Sequence, residues 1–168
     1  MPLNLLKQYN NHLDILGMSI QARRLSLQAI FDRDFTNSQP IHFNGKQVIP
    51  CPQDGRIEMA TLFSHLTTIK IDYKTGQREF EIERSKRLHW VKFHINMNKK
   101  NNMMLFSVKE PEGLRTYYYD IDENYVIVFE PRPSKNVYFL LTAHYIQGKD
   151  AQRDKIKKKF KRKLPTVL

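Results

Sequence analysis

The stretch Val137–Tyr145, VYFLLTAHY, joins a run of core-grade apolar residues to two side chains with chemistry, Thr142 and His144. An unbroken run of β-branched, aromatic and aliphatic residues reads as a strand. Side chains alternate along a strand, so Tyr138, Leu140, Thr142 and His144 are expected on one face and Phe139, Leu141, Ala143 and Tyr145 on the other. One face is then core while the other ends in a polar site. The plainer reading is that Thr142 suits a strand because it is β-branched, and that His144 is a solvated strand end.

Three similar runs precede it: MMLFSVK from Met103, LRTYYYD from Leu114 and YVIVFE from Tyr125. Their links, Glu110–Gly113, Ile121–Asn124 and Pro131–Ser134, are short enough to join sequential antiparallel neighbours. Upstream, RSKRLHWVKFHI from Arg84 to Ile95 fits either period, and Ser85 with the long side chains of the first turn favours a helix. Before it lie a helix over Ile57–Leu66 with His65 beside its apolar face, and a hairpin in which IKIDY and EFEIE flank Lys74–Gln77. Asn44-Gly45 reads as a tight hairpin turn between IHF and KQVI, and Asp54-Gly55 as a turn into the next helix. Pro2 to Asp34 is helical in pattern, broken at Gly17, with Ser19 as an N-cap. The last element expected is a basic helix from Gly148 to Lys163, anchored by Ile156 and Phe160 and ended by Pro165. The fold class is therefore α+β: a helical N-terminal region, then a four-stranded antiparallel meander sheet with packed helices and a basic C-terminal helix. Residues 1–79 form the helical and hairpin region and 80–168 the second unit.

Apolar residues make up 40% of the 168 and aromatic residues 11%, enough for a real core. A net charge of +11 and a pI near 9.8 create a field that attracts polyanions. Nucleic acid is the commonest such partner, with membrane surfaces and acidic proteins as alternatives. The single cysteine, Cys51, excludes an internal disulfide and a cysteine-cluster metal site. No run approaches the roughly 20 apolar residues of a membrane helix. MPLNLLKQYNNHLDILG has neither the basic nor the apolar region of a signal peptide, so a reducing cytosol is expected. Glycine-rich phosphate loops, HExxH and GxSxG are absent, and the carboxylates are spread out, which weakens a two-metal nuclease. No cofactor and no metal is expected.

Cleaving RNA without a metal needs a base for the 2′-hydroxyl proton, an acid for the leaving 5′ oxygen, and donors for charge on the phosphate. The C-terminal half supplies these types in Arg84, His89, Lys92, Tyr117, Tyr119, Thr142 and His144. Tyr117 and Tyr119 share a strand face and are candidates to stack a base. Arg153, Lys157, Lys158 and Lys161 of the basic helix are candidates for RNA contact, with a solvated face as the alternative. For Trp90 a core anchor is expected.

From RSKRLHWVKFHI through RTYYYD, NYVIVFE and VYFLLTAHYI to the lysine-rich helix, the order of segments resembles the phage-associated branch of the barnase, EndoU, colicin and RelE-like ribonuclease superfamily. The resemblance covers about Phe80 to Lys163, with Arg84, Leu88, Trp90, Lys92, Tyr119 and Thr142-Ala143 standing where that pattern wants them. It implies a metal-independent endoribonuclease of bacterial, prophage or mobile-element origin, cutting by 2′-hydroxyl attack. Thr142 would orient the scissile phosphate, Arg84 and Lys92 would stabilise charge, and His89 would be the base, with His144 its rival because it shares the face of Thr142. RNA is the partner implied, and an inhibitor or immunity protein is a further one to consider. Residues 1–79 match no named pattern; a phage adaptor, an immunity-facing surface and structural packing are the readings open. The competing reading is a non-catalytic basic module that binds nucleic acid or serves a phage as an accessory.

Overall fold

Each hairpin turn of the chain is closed by residues that tolerate left-handed backbone. Asn44 and Gly45 both take positive φ, 50° and 78°, the signature of the tight turn expected there. The computed structural model describes residues 2–38, 40–147 and 150–168, the side chains of residues 2 and 150–154 excepted. In chain order the elements are α1 (Pro2–Leu5), α2 (Ile20–Phe31) running into a π-helical turn (Asp32–Thr36), β1 (Ile41–Phe43), β2 (Lys46–Pro50) and α3 (Met59–Thr67). There follow β3 (Thr68–Lys70), β4 (Arg78–Phe80), α4 (Ile82–Ser85), α5 (Leu88–Ile95), β5 (Met103–Glu110) and β6 (Gly113–Asp120). The chain then runs through β7 (Tyr125–Arg132), a 3-10 turn (Pro133–Lys135), β8 (Val137–Tyr145) and α6 (Asp150–Lys161).

The α+β class and the antiparallel meander β5–β8 are as expected. The sheet is larger than the expected four strands: six strands lie in the order β1-β2-β8-β7-β6-β5, and β2 joins β8 in parallel, Gln47–Pro50 against Val137–Leu140. The hairpin of the N-terminal region thus extends the sheet, and β3–β4 form a separate two-stranded ribbon. A position 79/80 boundary falls inside β4, and the main core draws on both sides of it, from Leu13, Leu27 and Phe43 to Trp90, Tyr118 and Phe129.

Two hydrophobic layers result, one on each face of the sheet. α2, α3 and α5 cover the larger, where Trp90 is fully buried and its indole N–H donates to the Asn11 carbonyl at 3.0 Å. α6 covers the smaller with Ile156 and Phe160, over Phe106, Tyr117, Tyr119, Val126 and Val128. Beyond α6 the chain crosses the β5 edge: the Leu164 N–H donates to the Ser107 carbonyl at 2.8 Å, and the Leu168 N–H to the Ser107 hydroxyl at 2.9 Å.

Ser19 caps α2 as expected, its hydroxyl accepting from the Ala22 N–H at 3.2 Å. The segment read as one helix over 84–95 is two, broken at Lys86 and Arg87. The Glu81 carboxylate starts α4 by accepting from the N–H groups of Glu83 and Arg84 at 3.0 and 2.6 Å. Ser85 ends that helix, its buried hydroxyl donating to the Thr67 carbonyl at 2.9 Å.

The regular alternation expected in β8 is interrupted. Thr142 faces Val128 across the ladder while Leu140 faces Phe129, so Leu141 is an extra residue, a β-bulge. Faces therefore exchange within the strand. Tyr138 and Leu140 lie with Ala143 in the larger layer, and Thr142 and His144 stand on the other face, level with Val128 and Val126.

Candidate functional site

Strand β2 stops at Pro50, opposite Leu140, and the flank of β8 it leaves open is taken by α3 and α4. The bulge sits at that transition. His65, on α3, lines one hollow with Leu141 and Thr142. Arg84, on α4, donates through Nη1 to the carbonyls of His65 and Thr68 at 2.8 and 2.9 Å, closing the end of α3. Arg78, on β4, reaches the same corner through Nε to the Thr68 hydroxyl at 2.8 Å and Nη2 to the Thr68 carbonyl at 2.9 Å.

Two adjoining hollows meet here and share Ile69 and Arg84. One, of about 560 Å³, is lined by His65, Lys70, Tyr73, Arg78, Arg84 and Thr142. The other, of about 620 Å³, runs from Arg84 and His144 over Val126, Val128 and Ile156 to Tyr117, Lys155 and Lys159 of the α6 side. Three side-chain atoms on this groove, Arg84 Nε, Thr142 Oγ1 and His144 Nδ1, are buried with no hydrogen-bond partner among the described residues. Arg87 Nε and His89 Nδ1 are likewise buried and unpaired away from the groove; what sets this place apart is that three such atoms belong to residues lining one groove beside fixed cations, which suits it to a polar ligand.

The electrostatics point the same way. Burial, then the nearby Arg84 guanidinium, pushes the His144 imidazole down to about 4. Burial also lowers His65, with Arg78, Arg84 and Lys70 adding to the effect and the Leu141 contact opposing it. At neutral pH the groove therefore holds uncharged imidazoles beside fixed cations. Among the described residues its one lining carboxylate, Glu81, is engaged in capping α4. Such a set has the chemistry to hold an anion and to accept a proton.

No family model, curated protein or solved structure matches this chain. The groove must be read from its own chemistry.

Of the residues singled out in the sequence, Arg84, Thr142 and His144 come together here, and Tyr117 lines the far end. The Tyr117 hydroxyl donates to Glu110 at 3.1 Å, and Glu110 also pairs with Lys159, so this tyrosine helps seat α6. Tyr119 is buried in the smaller layer, its hydroxyl donating to Asn124 at 3.0 Å. His89 and Lys92 are elsewhere: α5 packs on the larger layer, across the sheet from Thr142. There His89 Nε2 meets the Gln8 carbonyl at 3.1 Å, and Lys92 Nζ donates to the Asp34 carbonyl at 3.0 Å. Lys157, Lys158 and Lys161 are exposed on α6, while the side chain of Arg153 lies outside the described residues. Among the described residues no three His, Cys, Asp or Glu side chains are grouped to hold a metal ion, and no helix is long and apolar enough to cross a membrane.

His65 and Arg78 are the groove residues that sequence reading passed over. His65 follows an apolar helix face, where a lone histidine is ordinarily structural, and Arg78 sits in a short hairpin without a motif. Only the meeting of α3, β4 and the bulge gives them a common neighbour.

Proposed function

We propose that the chain is a metal-independent RNA endonuclease of the toxin-like kind. The observation that carries this is the groove in which Arg84, Thr142 and His144 each hold a buried, unpaired polar atom beside uncharged imidazole and fixed positive charge. His144, uncharged at neutral pH, takes the proton of a ribose 2′-hydroxyl. The 2′ oxygen attacks the adjacent phosphorus and the bond to the 5′ oxygen breaks, leaving a 2′,3′-cyclic phosphate and a 5′-hydroxyl. Arg84, with Arg78 beside it, offsets the charge that builds on the phosphoryl oxygens, and the Thr142 hydroxyl donates to one of them. The cations of α6 hold the flanking strand through its phosphates.

The test is incubation of purified chain with total bacterial RNA in excess chelator, beside Thr142→Ala and His144→Ala, with end-group analysis of the fragments. Discrete cuts ending in cyclic phosphate are expected, with His144→Ala slower by about 10²- to 10⁴-fold. A 2′-deoxy strand should remain intact. Cleavage of DNA, or loss of cleavage in chelator, would sink the proposal. The exposed lysines of α6 favour one alternative, a non-catalytic RNA-binding module, and RNA that shifts on a gel yet stays whole would select it.

A further inference from the structure

Cleavage by 2′-hydroxyl attack needs a proton donor for the leaving oxygen as well as a base, and the residues of the proposed mechanism supply only the base. We propose that His65 is the second acid–base group of this site, the donor to the leaving 5′ oxygen, recruited when a phosphodiester seats against Arg78 and Arg84. This rests on the ribonuclease reading above.

Geometry singles out His65. It lines one hollow with Leu141, the bulge residue immediately before Thr142, and with Arg78, Arg84 and Thr142. His144 stands in the adjoining hollow, with Arg84 lining both, so the two histidines flank the guanidinium that would hold the phosphate.

The surroundings explain how one imidazole becomes an acid and its neighbour a base. The charged groups around His65 are Arg84 on α4, Arg78 on β4 and Lys70 on β3, with Tyr73 from the β3–β4 turn and Thr142 from β8; no carboxylate lines this hollow among the described residues. Burial first, and then those cations, disfavour the imidazolium. An incoming phosphodiester neutralises part of that field and adds a negative charge, both of which favour protonation of His65. Substrate binding thus loads the donor with a proton from solvent. In the reaction His144 accepts the 2′-hydroxyl proton, the 2′ oxygen–phosphorus bond forms, the phosphorus–5′ oxygen bond breaks, and His65 gives its proton to the departing 5′ oxygen. His144 then returns its proton to water and His65 regains one, restoring both.

Two measurements on the full chain decide it. The first is the NMR titration of the His65 ring alone, with inorganic phosphate, and with an uncleavable 2′-deoxy dinucleotide. A rise of about one unit or more on addition of either ligand is expected. An unchanged titration would overturn the proposal while leaving cleavage by another donor open. The second compares His65→Gln on RNA and on a uridine 3′-phosphodiester with a p-nitrophenyl leaving group, which departs without a proton. Cleavage of RNA should fall by about 10²- to 10⁴-fold, and cleavage of the activated ester by less than about tenfold. Equal losses on both substrates would assign His65 a structural role and overturn the donor assignment. If the wild-type chain cleaved neither substrate, the ribonuclease reading would fail together with the donor role, and the titration would still show whether phosphate charges this histidine.

Discussion

Taking an imidazole out of water penalises its charged form, and His89 and His144 are both pushed by burial to about 4 from an ordinary value of 6.5. For His89, 6% exposed, contacts with the Gln8 carbonyl and Asp34 only partly oppose that shift. Because the folded values lie below the unfolded one, the unfolded chain binds more protons between them. The stability these groups lend is complete above about pH 6.5 and drains away as pH falls toward 4. At about 1.4 kcal/mol per unit, His89 alone is worth about 3 kcal/mol across that window. Urea unfolding at pH 7.5 and 4.5 should show the drop, and His89→Gln should flatten it. Asp120 acts in a lower window. Burial pushes its pKa up, but contacts from His94, Tyr9 and Lys99 outweigh this and hold it down at about 2. Its contribution is present above about pH 4 and lost as pH falls through 2. Asp120→Asn takes the buried carboxylate from Lys99, which keeps its pair with the half-exposed Asp122 at 3.0 Å, and from Tyr9, and a loss of about 1–3 kcal/mol at neutral pH is expected in the same unfolding assay.

At the scale of the element, the bulge in β8 decides what Thr142 can do. Strict alternation would place Thr142 with Tyr138 and Leu140, in the larger layer, where its hydroxyl would meet only apolar neighbours. The extra residue Leu141 turns it instead toward the groove and itself lines the hollow with His65. Deleting Leu141 restores an even ladder in which Leu140 and Ala143 keep their core positions, so the chain should still fold, with a loss of about 1–2 kcal/mol. Thr142 stays across from Val128 on the groove face, so what the deletion removes is the residue that lines the hollow with His65, and RNA cleavage should fall about as far as in His65→Gln. Retained cleavage in a folded deletion variant would dissociate the bulge from the site. The same strand shows what sequence can and cannot reveal. Its existence, the meander before it and the Asn44-Gly45 turn follow from local periodicity and backbone chemistry, which neighbouring residues settle among themselves. The bulge, the parallel pairing of β2 and the break between α4 and α5 depend on contacts with distant segments, which leave no local period. Hence Arg84, Thr142 and His144, which line the candidate groove, stand out in the sequence only as residue types, and His89 could not be separated from His144 as a candidate base until α5 was seen to pack on the other side of the sheet.

Across the whole molecule, positive charge is the property that reaches furthest into solvent. A surplus of +11 is large for 168 residues, and α6 concentrates it beside the groove, with Lys157, Lys158 and Lys161 exposed while Lys159 and Arg162 are drawn to Glu110. Exposed lysines that contact phosphates release counterions, so each contributes to the salt dependence of binding without contributing much to stability. Single-stranded RNA should therefore bind His144→Ala, which keeps the charge but not the proposed base, with an affinity that falls steeply as salt rises. Each phosphate contact adds about 0.7 to the slope of log K against log salt, so replacing Lys157, Lys158 and Lys161 together by Gln should lower the slope by about 2. Thermal stability should change by less than about 0.5 kcal/mol, since these side chains are solvated. A slope unchanged by the triple substitution would move the RNA path off α6 and leave Lys155, Lys159 and the guanidinium groups of the groove as the phosphate contacts. A lowered slope with unaltered folding would establish the helix as the arm that carries the flanking strand, with Arg84 and His144 at the end where chemistry is proposed.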